Sequence, residues 1–457
     1  MKKTEVIVLA AGKGTRMHSE EPKVLQILGG RTLLDHVLIA ARGVNPSKIH
    51  VVYGHGGAAV RKSTVGTDIN WVQQASQFGT GHAVAQAMPF VEQQSTVLVV
   101  YGDVPLIRTE TLCQLVEAVK PEQLAILTSL LPDPTGYGRV IRDSQGEVQC
   151  IIEETDANEK EKAISEINAG SIAAPAGAFS DWLKQVDDFN AQNECYLTEI
   201  VRFLVASGIR AISCGTMDAD ETRGVNNRIE LANAERVFQR RQADRLMVDG
   251  LTLRDPDRFD LRGSLLVGLD TVIDINVIIE GSVRLGAEVI IGPNCYIRDS
   301  ILGDRVVVEA NCVIDGARIE PDCKIGPFAR LRPETAMATG AKVGNFVETK
   351  KARLGAGTKA NHLTYLGDAD IGKNVNIGAG VITCNYDGAD KHKTTIEDEA
   401  FIGSDSQLVA PVTVGKGATI GAGSTIRHDA PPGKLTITRA GRAKTLEHWR
   451  SPNKTKS

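Results

Sequence analysis

No CxxC pair occurs in this 457-residue chain, whose eight cysteines lie scattered at 113, 150, 195, 214, 295, 312, 323 and 384. Neither a zinc site nor a disulfide framework is indicated, and a reducing cytoplasm is the expected compartment. Apolar runs of the ~18 residues that a membrane span needs are missing. No secretory apolar region with a small-residue cleavage site follows Met1-Lys2-Lys3-Thr4. Charge of one sign is also lacking: 52 basic residues face 56 acidic ones, a net charge of −4, which gives no reason to expect a nucleic-acid partner. Aromatic residues make up only 4% of the chain, while glycines number 45. That bias points to a repetitive architecture somewhere, and the length calls for two or three domains.

Two familiar phosphate motifs are absent as well. Gly12-Lys13-Gly14 lacks the third glycine of a dinucleotide fingerprint, and no G-x-x-x-x-G-K-[ST] occurs. What stands instead is Glu5-Val6-Ile7-Val8, a buried-strand run, leading into Leu9-Ala-Ala-Gly-Lys-Gly-Thr-Arg-Met17 with Pro22-Lys23 behind. Small residues let backbone N–H groups approach phosphate oxygens closely. A glycine-rich turn with solvated lysines would account for Gly-x-Gly alone; Arg16, Pro22 and Lys23 shift the reading to phosphate binding.

Through residue 228, apolar runs alternate with helical stretches. Strands are predicted at Glu5–Leu9, Ile49–Tyr53 and Val97–Tyr101, and helices at Leu33–Ala41 and Gly81–Ala87. The order predicts an α/β, Rossmann-like domain with a mostly parallel sheet and its ligand at the carboxyl ends of the strands. Leu9–Gly14 and Gly102-Asp103 fall at such ends. An acid leaving a buried strand suits a hard cation, or it caps the next turn, which Pro105 makes certain.

Ile229–Val248 is free of Gly and Pro, with Leu231, Ala234, Val237 and Phe238 at helical spacing; Asp249-Gly250 ends it. Beyond it Val267, Ile273, Ile279, Leu285, Ile291 and Ile297 recur at intervals of six, and the beat resumes at Ile371, Ile377, Val414 and Ile420. A six-residue beat means one short strand and a turn per repeat, coiling into a parallel β-helix with one aliphatic residue per repeat on the axis. Cys384–Thr395 is the largest break in the pattern, and insertions in solenoids collect on the functional face. The expected domains are 1–228, a linker helix 229–249, the β-helix 250–437 and a basic tail 438–457. Three clusters carry chemistry: Arg330–Pro333, Asn345–Lys351 and Asn361–Gly367.

The front motif, L-A-A-G-x-G-T-R-M followed by P-K, resembles that of the sugar-phosphate nucleotidyltransferases. The coiled half resembles left-handed hexapeptide-repeat acetyltransferases. The domain order is similar to that of the bacterial bifunctional uridylyltransferase–acetyltransferase family over nearly the whole chain. The resemblance implies catalysis by Arg16 and Lys23 in front, with Leu9, Ala10, Ala11, Gly12, Lys23, Gln74, Gly79, Thr80, Tyr101, Gly102, Asp103, Gly138, Glu153, Asn168 and Asn226 around UTP and its sugar-nucleotide product. The run Asp133–Arg139 belongs to the same sugar-binding region. By the same resemblance Asp103 and Asn226 bind Mg²⁺. In the coiled half it implies His362 as general base, with Glu348 as orienting partner. Arg332, Lys350, Tyr365 and Asn376 would hold the sugar phosphate, and Ala379, Asn385, Tyr386, Ser404, Ala422 and Arg439 the acetyl-CoA and substrate groove.

Two departures stand out. Asn168-Ala169-Gly170 replaces the family's Asn-Thr-Gly, and Asn193-Glu194-Cys195-Tyr196 replaces Gly-Glu-Tyr-Tyr. The implied function is acetylation of glucosamine-1-phosphate followed by uridylyl transfer from UTP, supplying peptidoglycan and lipopolysaccharide synthesis, in a homotrimer. The alternative is a single-activity nucleotidyltransferase whose β-helix only oligomerises or regulates. A β-helical carbonic anhydrase would need three convergent histidines, and the coils hold only His362 and His392 before His428.

Overall fold

The computed structural model describes residues 3–12, 14–54, 56–64, 66, 68–185 and 194–438. The chain forms two compact units, Met1–Arg241 and Gln242–Ser457. Lys13, Asn193, Arg439 and the rest of the basic tail lie outside the described residues.

The first unit is built on a sheet whose main path runs Ala211–Thr216, Leu124–Leu130, Glu166–Pro175, Thr96–Tyr101, Thr4–Ala10, Lys48–Tyr53, Ile69–Gln73. Only Glu166–Pro175 runs antiparallel to its neighbours on this path. The hairpin Arg139–Arg142/Val148–Ile152 hangs from it through Ile167 and Arg139. Alternation along each central strand divides the core in two. Ile7, Leu9, Val97 and Val99 pack into one layer, and Val6, Val8, Leu98 and Val100 into the other. Burial on both faces explains why these strands read as unbroken apolar runs. Leu9 pairs with both Val52 and Tyr101, so three strands end side by side. The predicted elements appear as Thr4–Ala10, Leu33–Gly43, Lys48–Tyr53, Thr80–Ala87 and Thr96–Tyr101. Thr32 caps Leu33–Gly43 by accepting the Asp35 N–H at 3.0 Å.

The long helix is Arg228–Val248. Ala234, with Leu231, Val237 and Phe238, packs on Leu28, Leu33, Leu106 and Val225. Gly250, at φ 105°, donates to Met247 O at 3.1 Å, and Leu251 donates to Leu246 O at 2.9 Å. Those two bonds form a Schellman stop, which needs a residue with positive φ.

The second unit is a parallel β-helix. Ile273 pairs with Ile291, Ile291 with Val308, Val308 with Ile325, Ile325 with Val343, Val343 with Ala360 and Ala360 with Ile377, so a coil takes 17 or 18 residues. The aliphatic residues of the six-residue beat stack inward: Ile273, Ile279, Ile291 and Ile297 are fully buried. Each contributes about 1.5–3 kcal/mol on leaving water. Glycines directly follow several residues of the beat. Gly268, Gly286 and Gly292 sit where a Cβ would come within 2.5, 2.6 and 2.9 Å of backbone nitrogen in the next coil. They are needed for close stacking, while left-handed corners fall to residues such as Asp270, Glu288, Arg305 and Asp322. The register jumps 25 residues between Ile377 and Ile402, where Cys384–Thr395 inserts.

Candidate active sites

In the first unit a cavity of about 520 Å³ opens at the carboxyl ends of Thr4–Ala10 and Thr96–Tyr101. Leu9, Ala10, Ala11, Gly12, Lys23, Gln74, Gly79, Thr80, Tyr101 and Asp103 line it, as the sequence led us to expect. Gly12 has open space where a side chain would be, which is what close approach of a ligand to the backbone requires. Gly14 serves a second purpose. It lies at φ 60°, and a Cβ there would stand 2.6 Å from Lys23 Cβ. Its bareness lets the Lys23 segment cross behind the loop.

Lys23 then reaches the centre of the site. Its Nζ is ion-paired with Asp103 and donates to Asn226 Oδ1 at 2.9 Å; Arg16 Nη2 donates to the same oxygen at 3.2 Å. Val225 N–H donates to Asp103 O at 2.8 Å, fastening the Asn226 segment to the Asp103 segment. A carboxylate and an amide oxygen converging on one cation are hard donors that suit a divalent metal. Among the described residues no cluster of three or more His, Cys, Asp or Glu forms a complete cage. Ligands from outside these side chains would have to finish the coordination shell of a divalent ion.

Gly102 works structurally, donating to Leu9 O at 2.9 Å and so holding two strand ends together. Gly79 and Gly81 lie against the Cys195 segment. A Cβ on Gly79 would meet Cys195 O at 2.5 Å, and Gly81 N–H donates to that oxygen at 2.8 Å. Thr80 Oγ1 accepts from Leu197 N–H at 3.0 Å. Gln74 Nε2 reaches Gly79 O at 3.2 Å and His82 Nδ1 at 3.0 Å. The sequence reading missed Gln77, which lines the cavity and donates to Ala11 O at 2.5 Å. Its nearness in sequence to Gln74 was the available signal.

Gly138, Glu153 and Asn168 gather together, outside the lining of this cavity. Asn168 N–H donates to Gly138 O at 2.8 Å, and a Cβ on Gly138 would press within 3.1 Å of Glu153 Oε2. Burial pushes the Glu153 carboxyl above its usual range, although Thr198 Oγ1 donates to it at 2.8 Å. Tyr101 adjoins them: burial, then the Glu153 charge, pushes its phenol up, and Gly170 leaves room for its ring. Four members of the Asp133–Arg139 run, Asp133, Thr135, Tyr137 and Arg139, lie elsewhere. Asp133 lines a separate cavity of about 400 Å³ with Tyr137, Gly224 and Val225. Arg139 is 1% exposed and pairs with Glu154 at 2.7 Å, so it holds the hairpin and not a ligand.

In the second unit His362 ends the strand Lys359–His362 and stacks in register on Asn345 one coil away. Its Nδ1 lies 2.7 Å from Asn345 Oδ1. Glu348, the expected orienting partner, is instead bonded by Arg332 Nη1 at 2.9 Å. The corner bearing His362 continues upward. Gly380 N–H donates to Leu363 O at 3.1 Å, Asp405 N–H to Ala379 O at 2.7 Å and Gly423 N–H to Ser404 O at 2.8 Å. Ala379 and Ser404 therefore follow His362 along one column, and Ala422 joins it, its N 2.5 Å from where a Gly403 Cβ would be.

On the adjoining strands Glu348 pairs with Tyr365 and Lys350 with Gly367. Gly367 is bare because Tyr365 Oη occupies its side-chain space, 2.3 Å from a hypothetical Cβ. The phenol thus lies along the strand over Gly367, the register partner of Lys350. The insertion returns a further cation that the sequence reading passed over: Lys391 sits against Lys350 and lowers its ammonium below the usual lysine range. Its place inside the one large pattern break was the sign. Asn385 anchors the insertion by donating to Asp368, Tyr386 bridges to Lys391, and His392 N–H donates to Asn385 O at 2.8 Å. Asn376 pairs with Lys359 on the strand after the next corner.

Residues 6–143 match the MobA-like NTP transferase domain. Residues 277–316 match the hexapeptide repeat of succinyl-transferase, and 393–428 the bacterial transferase hexapeptide of six repeats. Three relatives align along almost their full length, each named bifunctional protein GlmU. That of Alkalilimnicola ehrlichii is 54% identical over 447 residues, 98% of this chain and 96% of its own. That of Stutzerimonas stutzeri is 52% identical, covering 98% and 99%. That of Marinobacter nauticus is 48% identical, covering 99% and 100%.

Proposed function

Since this chain belongs to the bifunctional GlmU family, we propose that its two sites perform consecutive transfers in the roles given below. The enzyme makes UDP-N-acetylglucosamine, acetylating in the coiled half and transferring UMP in the front half. Arg332, Lys350 and Lys391 take the phosphate of glucosamine-1-phosphate, with Tyr365 and Asn376 on the sugar. Ala379, Ser404 and Ala422, with Asn385 and Tyr386, flank acetyl-CoA, whose thioester lies over His362. Asn345 Oδ1 accepts a hydrogen bond from Nδ1–H, so Nε2 keeps a lone pair and takes a proton from the amine as nitrogen attacks the carbonyl. The C–S bond breaks and coenzyme A leaves with a proton.

In the front half a phosphate oxygen of N-acetylglucosamine-1-phosphate attacks the α-phosphorus of UTP in line, and the bond to the β-phosphate breaks. No protein nucleophile is required; positioning and charge neutralisation do the work. Backbone N–H groups of the Leu9–Gly12 loop, Arg16 and Lys23 hold the triphosphate and its departing pyrophosphate. Gln74, Gly79 and Thr80 face the uracil; Gly138, Glu153 and Asn168 hold the acetylated sugar. Asp103 and Asn226 would hold Mg²⁺, which supplies charge neutralisation on the phosphates when bound. A homotrimer in the cytoplasm completes the reading.

One observation carries it: Lys23 meets both Asp103 and Asn226 beside a glycine loop open to ligand. The single-activity alternative leaves His362, hydrogen-bonded to Asn345, and the Lys350–Lys391 pair without a task. A thiol-release assay with glucosamine-1-phosphate and acetyl-CoA separates the two. Coenzyme A is the expected product; its absence in an active nucleotidyltransferase would favour the alternative.

A further inference from the structure

We propose that Asn345 is a positioning residue for acetyl transfer: it fixes the Nδ1–H tautomer of His362 and aims Nε2 at the amine. The inference rests on the reading of His362 as general base. An amide oxygen only accepts, so the 2.7 Å contact between Asn345 Oδ1 and His362 Nδ1 places the ring proton on Nδ1. The contact is built into the coil. Asn345 and His362 are register partners in parallel strands. Gly344, just before, has no room for a side chain, since a Cβ would stand 2.0 Å from Asn361 O. Thr364 Oγ1 donates to His362 O at 2.6 Å, fixing the backbone on the other side of the ring. Glu348 is taken by Arg332 and does not compete for this role.

Nitrogen-15 spectra of the full-length protein, labelled at histidine, read the tautomer directly. With its imidazole neutral, His362 is expected to show a protonated Nδ1 and a bare Nε2. A protonated Nε2 would overturn the inference. Asn345→Leu removes the acceptor at similar volume. It should cut kcat for coenzyme A release about 10- to 100-fold with KM for both substrates within about twofold. Asn345→Asp keeps an acceptor and should recover most of the loss. Thermal unfolding of each variant, followed for the coiled unit, reports whether it is intact. His362→Ala keeps the two ideas apart. If it stays active, the general-base reading fails. If it is dead while Asn345→Leu keeps a wild-type kcat, only the positioning role fails.

Discussion

Replacing Gly14 by alanine should damage one activity and leave the other alone, and the size of the loss follows from the geometry. Gly14 has φ 60° and ψ 35°, the left-handed region. Alanine pays about 1–2 kcal/mol to stay there. Its Cβ would also stand 2.6 Å from Lys23 Cβ and 3.4 Å from Lys23 N. The first atom is the root of the lysine side chain, so relief means moving the chain that carries Lys23. Overpacking of this kind costs about 1–3 kcal/mol. The combined strain of about 2–5 kcal/mol is released mainly by pulling Lys23 away from Asp103 and Asn226. If that shift is felt in the transition state, pyrophosphate release should fall about 30- to 5000-fold. Acetyl transfer by the same preparation should stay within about twofold, because the second unit is untouched. Normal pyrophosphate release in a protein of unchanged thermal stability would refute the reasoning that Gly14 is there to let Lys23 pass.

Three further outcomes are expected. Arg16→Ala should lower uridylyl transfer by about 10²–10³ and leave thiol release unchanged, since one charged donor at the phosphates is lost; equal loss of both activities in a folded variant would contradict the division of labour. Glu153→Gln should stabilise the first unit at neutral pH. The folded carboxyl is raised by burial, so wild-type stability is fullest below the ordinary glutamate range and declines as pH rises through the raised value. The variant's gain in melting temperature should therefore vanish in acid, and a gain independent of pH would tell against it. Ile297→Ala empties a fully buried position on the coil axis and should cost about 2–5 kcal/mol in a denaturant titration. A loss under 1 kcal/mol would mean that the coils collapse onto the gap.

Much of this was readable because it repeats or because it is local. Strands buried on both faces leave continuous apolar runs, so Val6–Val8 and Val97–Val100 announced themselves. The six-residue beat follows directly from stacking, one aliphatic residue for each inward position. The Leu9–Met17 loop is local as well, and its cavity contains the residues expected of it. Contacts between coils were harder to see. The Asn345–His362 pair is 17 residues apart, and nothing in either residue alone says that they share a register position. Glu348 was expected to orient His362, yet in the fold it is engaged by Arg332. Glycine roles were ambiguous for a related reason. Gly79 and Gly286 are both bare because backbone from a distant segment passes beside them. Sequence shows that a side chain is missing; only the packed chain shows what fills the space.

The central claim is that one polypeptide carries both transfers. Incubating the purified chain with glucosamine-1-phosphate, acetyl-CoA, UTP and Mg²⁺, and omitting each in turn, tests it most directly. UDP-N-acetylglucosamine should form only in the complete mixture. Without UTP the reaction should halt at N-acetylglucosamine-1-phosphate with coenzyme A released. Without acetyl-CoA neither coenzyme A nor UDP-N-acetylglucosamine should appear. If coenzyme A is never released while added N-acetylglucosamine-1-phosphate is still uridylylated, the coiled half is scaffold and the claim is wrong.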